Sequence, residues 1–220
     1  YIQFVRSLFN SAYTVLVGAA IHALLAFMGY WTSGYVVYVW LAVTLLAVGV
    51  WRFAGMRKFR RATPLTTREE ASRWEREYIL RGTVQAFVIG LFGLVALTVA
   101  PIEFVAIAAA CALFGSIVTV AGRNYGSSRM VAIFSAAFLA PFAIGLVLRG
   151  DVAHVLLGLT AIPYYFIIKS TADQIRQVLF SAVIGHKQAR QIAQRFDRAL
   201  NTMPHGLVML DNNGRVVVAN

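Results

Sequence analysis

The sequence predicts an all-α integral membrane protein: a six-helix transmembrane bundle, then a C-terminal signalling helix, then the start of an α/β domain. The chain is 59% hydrophobic and only 13% charged, and its mean hydropathy is +0.69. Soluble globular domains carry about 25% charged residues, so most of this chain must be solvated by lipid. The lipid bilayer is therefore its first expected partner.

Six apolar stretches are long enough to cross a hydrocarbon core about 30 Å thick, which takes roughly 20 helical residues. They run from Ala12 to Met28, Tyr35 to Ala54, Gly82 to Ala100, Ile102 to Gly122, Met130 to Leu148 and Val152 to Thr171. They predict a transmembrane domain over residues 1–171. Pro141 and Pro163 lie near the middle of the last two stretches and predict kinks, because proline removes a helical hydrogen bond.

The basic residues predict the orientation of these spans. Many of them crowd the loop between spans two and three, whereas the turn between spans one and two carries no charge. They are Arg52, Arg57, Lys58, Arg60, Arg61, Arg68, Arg73, Arg76 and Arg81. Because cytoplasmic loops are enriched in Lys and Arg, this loop and both termini are expected to be cytoplasmic. The net charge of +11 has the same origin, so nucleic acid is not an expected partner.

The loop between spans two and three also carries the signal of a helix. Thr67 and Glu70 form a capping-box pattern, which predicts a helix that starts there and continues into span three. Opposite charges then recur every four residues along one helical face, at Glu69, Arg73, Glu77 and Arg81. Such a ladder is typical of a solvated face. The alternative is a juxtamembrane lever that packs against the C-terminal helix or against anionic lipid.

Beyond span six the apolar residues follow an alternating three-four spacing, which is the pattern of a coiled-coil seam. The seam consists of Ile175, Val178, Ala182, Gly185, Ala189, Ile192, Phe196, Ala199 and Met203. It predicts a helical connector over residues 172–204 that forms a homodimer and whose register can shift. The alternative is an ordinary amphipathic helix packed on its own domain.

The chain ends in a pattern typical of a β-hairpin. Apolar runs at 207–210 and 216–219 flank a turn sequence at 211–214, in which Asn-Gly supplies the positive φ that a tight turn needs. A lone hairpin is only marginally stable in water. Residues 205–220 are therefore expected to be the truncated start of a further domain.

This last segment, following a helical connector, resembles the start of a PAS domain in bacterial signalling proteins, especially those in which PAS leads into GGDEF and EAL domains. The matching residues are Leu200, Met203, Gly206, Leu207, Asp211, Arg215 and Asn220. The resemblance implies a module in the bacterial inner membrane whose output is a diguanylate cyclase or phosphodiesterase of cyclic-di-GMP signalling. PAS domains also precede histidine kinases, which are the alternative output.

Two histidines lie in the predicted spans, where ionisable groups are functional candidates by default. His22 lies past the middle of span one and His154 begins span six, so the predicted topology places both in the outer half of the bilayer. A bis-imidazole site for haem or a metal ion follows as a hypothesis. Single hydrogen-bonded histidines are the simpler interpretation, and the sequence does not identify a cofactor.

No catalytic constellation is visible in the sequence. His186 lies on the connector, but Lys187 follows it where a phospho-accepting histidine is normally followed by an acidic residue. The cytoplasmic segments show no Ser-His-Asp set, phosphate-binding glycine loop or carboxylate pair. The predicted function is a sensory input module that relays a signal through the connector to a PAS domain. The alternative is a small transporter or channel with a regulatory tail.

Overall fold

A computed structural model of the chain describes residues 1–62, 67–99, 102–124, 126–202, 208–211 and 213–219. The chain divides into two units, residues 1–174 and residues 175–220. The helices run α1 Ile2–Leu8, α2 Ala12–Ser33, α3 Val37–Arg61, α4 Arg68–Thr98, α5 Glu103–Asn124, α6 Ser128–Leu148, α7 Val152–Leu159 and α8 Ala161–Thr202. Two strands follow, β1 Val208–Leu210 and β2 Val216–Ala219.

The six predicted spans are confirmed as helices that are long and apolar enough to cross a membrane. These segments are Ile2–Ser33, Val37–Arg61, Arg68–Thr98, Glu103–Asn124, Ser128–Leu148 and Val152–Ala182. The third is longer than the apolar stretch alone, because its helix begins well before the hydrophobic residues do. The class of multi-pass membrane protein therefore rests on both composition and structure.

The start of α4 confirms the predicted capping box. Oγ1 of Thr67 accepts a hydrogen bond from the Glu70 N–H at 3.3 Å, and a carboxylate oxygen of Glu70 accepts one from the Thr67 N–H at 3.4 Å. This exchange satisfies two of the N–H groups that a helix start leaves without partners. The helix then runs for 31 residues without a break.

The last span consists of two helices, α7 and α8, that meet at Thr160. The Thr160 N–H donates to the carbonyl oxygens of Leu156 and Leu157, which ends α7. Pro163 is the third residue of α8, where the missing N–H would have no helical partner in any case. The predicted mid-span kink is therefore a helix boundary three residues before the proline. Pro141, by contrast, lies inside the continuous helix α6.

Helix α4 is the centre of the first unit and packs against α1, α3, α5 and α6. Glycine allows the closest of these approaches. A Cβ atom on Gly90 would lie 2.6 Å from the backbone oxygen of Phe138 in α6, a distance that side chains cannot adopt. Small residues at helix contacts are the usual solution in membranes, where packing replaces the hydrophobic drive.

Aromatic side chains join α1, α3 and α4 near the predicted cytoplasmic end of the bundle. The rings of Phe9 and Phe59 are stacked with centroids 3.9 Å apart, and Trp74 meets Phe59 edge-on at 5.2 Å. The ring of Tyr78 lies 5.5 Å from that of Phe9. These contacts hold the start of the chain against α4, so they position the residues of the cavity described below.

In the second unit, β1 and β2 form the predicted antiparallel hairpin, with Val208 opposite Ala219. Oδ1 of Asp211 accepts hydrogen bonds from the N–H groups of Asn213 at 2.8 Å and Arg215 at 2.9 Å. Gly214 has a φ of 76°, and the Asp211 N–H donates to the Arg215 carbonyl at 2.8 Å. The loop between Asp211 and Arg215 therefore ends in a left-handed glycine.

Candidate functional site

A cavity of about 410 Å³ lies inside the first unit between α2, α3, α4, α5 and α6. Small-molecule sites commonly occupy roughly 300–1,000 Å³, so its volume suits a ligand. Most of its wall is apolar. The side chains that line it and can form hydrogen bonds include Thr14, His22, Arg52, Gln85, Ser116, Thr119, Arg123 and Asn124.

Two of these side chains, Arg52 and Arg123, flank the ring of Tyr78. The Cζ atom of Arg52 lies 5.2 Å from the ring centroid and that of Arg123 lies 6.0 Å from it. A guanidinium at about 6 Å or less is attracted by the negative face of an aromatic ring. Two guanidinium groups of like charge therefore share one aromatic ring.

Hydrogen bonds fix this cluster to the surrounding helices. Nη1 of Arg52 donates to Oε1 of Gln85 at 3.0 Å, and Nη2 of Arg123 donates to a backbone carbonyl oxygen at the end of α1 at 3.0 Å. The Tyr78 hydroxyl donates to Oδ1 of Asn124 at 3.1 Å. Four helices thus contribute to one polar end of the cavity, while the rest of its wall is mainly apolar.

His22 lies on the wall of the same cavity and bonds across it to α5. Its Nε2 atom is 3.0 Å from Oγ of Ser116, whose hydroxyl hydrogen is donated to the Ala112 carbonyl at 2.7 Å. Serine has one hydroxyl hydrogen, so with that hydrogen on the Ala112 carbonyl the Nε2–H group of His22 donates to Oγ of Ser116. The Nδ1 atom of His22 is buried and has no hydrogen-bond partner among the described residues.

His154 lies on α7 and interacts with the residue that caps that helix. Oδ1 of Asp151 accepts a hydrogen bond from the His154 N–H at 3.0 Å, and Oδ2 lies 2.6 Å from Nδ1 of the imidazole. The hydrogen bonds from His154 lower the pKa of the Asp151 carboxyl below its usual value of 3.8. His154 therefore belongs to the start of a helix rather than to the cavity.

The structure brings His22 together with Ser116 and His154 together with Asp151. His154 is not among the residues that line the cavity, and no described hydrogen bond joins the two histidines. The shared bis-imidazole site stays a prediction. In the described part of the chain, no group of three or more His, Cys, Asp or Glu residues could hold a metal ion.

The predicted charge ladder forms one ion pair among the described residues, between Glu77 and Arg81 at 3.1 Å. Arg81 also donates to the backbone oxygen of Trp51 at 2.8 Å, and its Cζ atom lies 4.7 Å from the Trp51 ring centroid. Glu69 and Arg73 are exposed. The part of the ladder at Glu69 and Arg73 is thus a solvated face. The part at Glu77 and Arg81 connects α4 to α3.

The predicted connector residues from Ile175 to Ala199 lie on α8, and several of them are exposed. The exposed fraction is 68% for Val178, 67% for Ile192 and 57% for Phe196. Ala182 and Ala189 are also exposed and Ile175 is half-buried, whereas Met203 lies outside the described residues. Exposed apolar residues at this spacing indicate a helix that presents an unpartnered apolar face within the single chain.

The paired arginines and Tyr78 were missed as a site by sequence reasoning. Arg52 was counted only as one of the charges that orient the spans, and Arg123 was not singled out as a site residue. The signal that could have found Arg52 is its distance from the end of α3, since Arg61 is the last residue of that helix. An arginine about two turns inside a membrane helix needs partners, and here those partners come from other helices.

Comparisons with known proteins give no match to this chain: no protein-family model, no curated protein and no solved structure is significantly similar. The function proposed below is supported by the residues of the cavity and of α8 and by the composition of the chain.

Proposed function

We propose that this protein is a membrane-embedded sensory input module that relays a signal through α8. The observation that supports the proposal is the length of this helix together with the apolar residues that it exposes. It runs for 42 residues from Ala161 to Thr202, begins within the last apolar span, and exposes Ile192 and Phe196 beyond it. A continuous helix transmits a rotation or a shift along its axis, because its hydrogen bonds resist local deformation.

The exposed apolar face of α8 supports a homodimer through this helix. Its spacing is that of a coiled coil, in which each seam residue packs into the partner helix. A weak seam with alanines can exchange between two registers at little cost. Dimerisation in one register and signalling by a change of register are therefore parts of the same proposal.

The loop charges support an orientation with both termini in the cytoplasm of a bacterial inner membrane. The hairpin after α8 then lies on the cytoplasmic side. Its resemblance to the start of a PAS domain supports a PAS relay followed by a diguanylate cyclase or phosphodiesterase that acts on cyclic-di-GMP. A histidine kinase is the alternative output.

The second candidate function is a small transporter, and the cavity is the observation that favours it. A cavity with a polar end inside a helix bundle is the kind of place where a transporter binds its substrate. The two functions differ in what they require of α8: a sensor needs its helical phase, whereas a transporter does not.

Insertion of residues after Gln188 in the full-length protein tests the proposal. Four inserted alanines rotate everything that follows by about 40° relative to a heptad seam, whereas seven restore its phase. We expect the cellular cyclic-di-GMP level to change with the four-residue insertion and to return with the seven-residue insertion. A level that is indifferent to both insertions would contradict a signalling role for α8 and favour transport.

Cysteine cross-linking tests the dimer separately. Cysteines at Ile192 and Phe196 should link two chains efficiently, and cysteines at Gln194 and Arg198 should link them poorly, because the heptad turns those positions away. Equal cross-linking at all four positions would remove the coiled-coil dimer from the proposal.

A further inference from the structure

The polar end of the cavity has an excess of positive charge. Arg52 and Arg123 both line it, and none of the described residues that line it is Asp or Glu. Neither arginine forms an ion pair with a described carboxylate. The nearby Glu77 pairs with Arg81 instead. Two cations that share one aromatic ring and lack a counter-ion form a site for an anion, since charge-assisted hydrogen bonds to a carboxylate are strong.

Two buried nitrogen atoms on the cavity wall lack hydrogen-bond partners among the described residues. They are Nε of Arg52 and Nδ1 of His22. Buried polar atoms are normally paired, and an unpaired one costs free energy. Because the Nε atom of Arg52 is itself buried, an anion in the cavity would reach it only once the side chain turns towards the ligand, and an acceptor oxygen would then give this unpaired donor a partner.

The rest of the cavity is suited to the apolar tail of a ligand. Along α2 the wall extends from Thr14 at the arginine end to Leu25, a distance of about 16 Å at 1.5 Å per residue. Beyond His22 the lining is largely apolar and includes Ile89 and Phe138. A volume of about 410 Å³ is at the small end of ligand sites and suits a single hydrocarbon chain.

Glycines form part of the wall where α2 faces α5. Gly18 and Gly115 both line the cavity, and a Cβ atom added to either would meet no atom within 4 Å. Their cavity neighbours Ile21, Cys111 and Thr119 are exposed on the surface of the bundle. This surface belongs to the membrane-spanning segments, so the cavity opens sideways towards lipid.

We propose that this cavity binds a single-chain amphipathic carboxylate of the fatty-acid type, with its head at Arg52 and Arg123 and its tail along α2. The ligand reaches the site from the bilayer through the opening between α2 and α5. If the chain is the sensory module proposed above, this ligand is its signal, and that second statement rests on the proposed function. Binding itself does not depend on it.

Binding of decanoate to the purified full-length protein in phosphatidylcholine nanodiscs tests the proposal, with empty nanodiscs as the blank. Decanol and decyltrimethylammonium are probes with the same tail and a neutral or cationic head. We expect decanoate to bind at least about tenfold more tightly than either, because of the three head groups only the carboxylate is an anion that can form an ion pair with the two guanidinium groups. Equal binding of the three probes would overturn the site.

Variants locate the binding site. Arg52→Gln and Arg123→Gln should each weaken decanoate binding by about tenfold or more, whereas Arg60→Gln, an exposed arginine outside the cavity on α3, should leave it unchanged. Gly115→Leu should fill the opening and abolish binding. Gly122→Leu is the matched control, because Gly122 also faces open space on α5 but does not line the cavity.

Competition with dioctanoyl phosphatidylglycerol tests whether the bound anion is a single-chain carboxylate or the head group of a two-chain lipid. Competition by this two-chain lipid as strong as that by decanoate would overturn the single-chain assignment. Unchanged decanoate binding in Gly115→Leu and both arginine variants would overturn the cavity as the site. Tight binding together with a cyclic-di-GMP level that ignores decanoate would uphold the ligand class and contradict the sensory function, so the two proposals fail separately.

Discussion

Helix α4 and the last span differ in how much of their apolar surface the protein itself covers. In the most apolar part of α4 half of the residues are buried, whereas in the corresponding part of Val152–Ala182 the fraction is 11%. Both segments are apolar enough to cross a bilayer, so hydrophobicity is not what separates them. The difference shows that α4 is a structural centre, while the last span is held by few side chains.

The last span is packed against the rest of the protein at few residues. Among the described residues of the last span, Gly158, Ile168 and Ala172 are the buried ones. A helix held at so few points can shift without the loss of many packing contacts. In α4 the same shift would disrupt contacts to four neighbouring helices, so a change of state is expected in the last span and not in the centre.

The largest expected effect is the removal of a central aromatic side chain. Phe92 on α4 is 0% exposed and meets the Tyr38 ring at 6.3 Å, whereas Phe166 on α8 is 62% exposed. Phe92→Ala should lower the free energy of unfolding by about 3 kcal/mol or more because it leaves a cavity, and Phe166→Ala by well under 1 kcal/mol. Reversible unfolding in mixed micelles measures both, and similar losses would break the comparison.

A smaller difference is expected when glycines at the two contacts are replaced. A Cβ atom on Gly90 of α4 would lie 2.6 Å from a backbone oxygen, whereas one on Gly158 of α7 would meet its nearest atom, a Val147 methyl carbon, at 3.0 Å. The Gly158 Cβ would also lie 3.1 Å from the Ala143 backbone oxygen, a looser contact than the 2.6 Å at Gly90, so Gly90→Ala should cost about 1–3 kcal/mol and Gly158→Ala less. The same unfolding assay measures both variants. A greater loss of unfolding free energy for Gly158→Ala than for Gly90→Ala would reverse our ranking of the two helices.

The smallest effect concerns the cap of α7 and its pH dependence. The pKa of Asp151 is lowered by its hydrogen bonds to His154, so its contribution to stability is present above pH 3.8 and is lost as the pH falls through the lowered folded-state value. Asp151→Asn retains a capping side chain but cannot titrate. Wild-type protein should therefore lose slightly more thermal stability than this variant between pH 6 and pH 2.5, and the reverse order would contradict the assignment.

Several features were predictable from sequence because they depend on local chemistry. The six spans follow from length and apolarity, which a bilayer demands of every helix that crosses it. The capping box at Thr67 and Glu70 and the turn at Gly214 follow from side chains within a few residues of each other. Each of these was confirmed, and the correction at Pro163 is local too, because α8 begins two residues before that proline.

The packing of the bundle and its cavity came only from the tertiary structure. In lipid both the buried side and the exposed side of a helix are apolar, so the hydrophobic pattern does not reveal which face meets protein. Close contacts at residues such as Gly90 decide which face of a helix packs against protein. Sequence therefore determined that the chain has six helices long and apolar enough to cross a membrane. The fold alone placed Arg52 and Arg123 on the Tyr78 ring and bonded His22 to Ser116, 94 residues away, because such partners come from different helices.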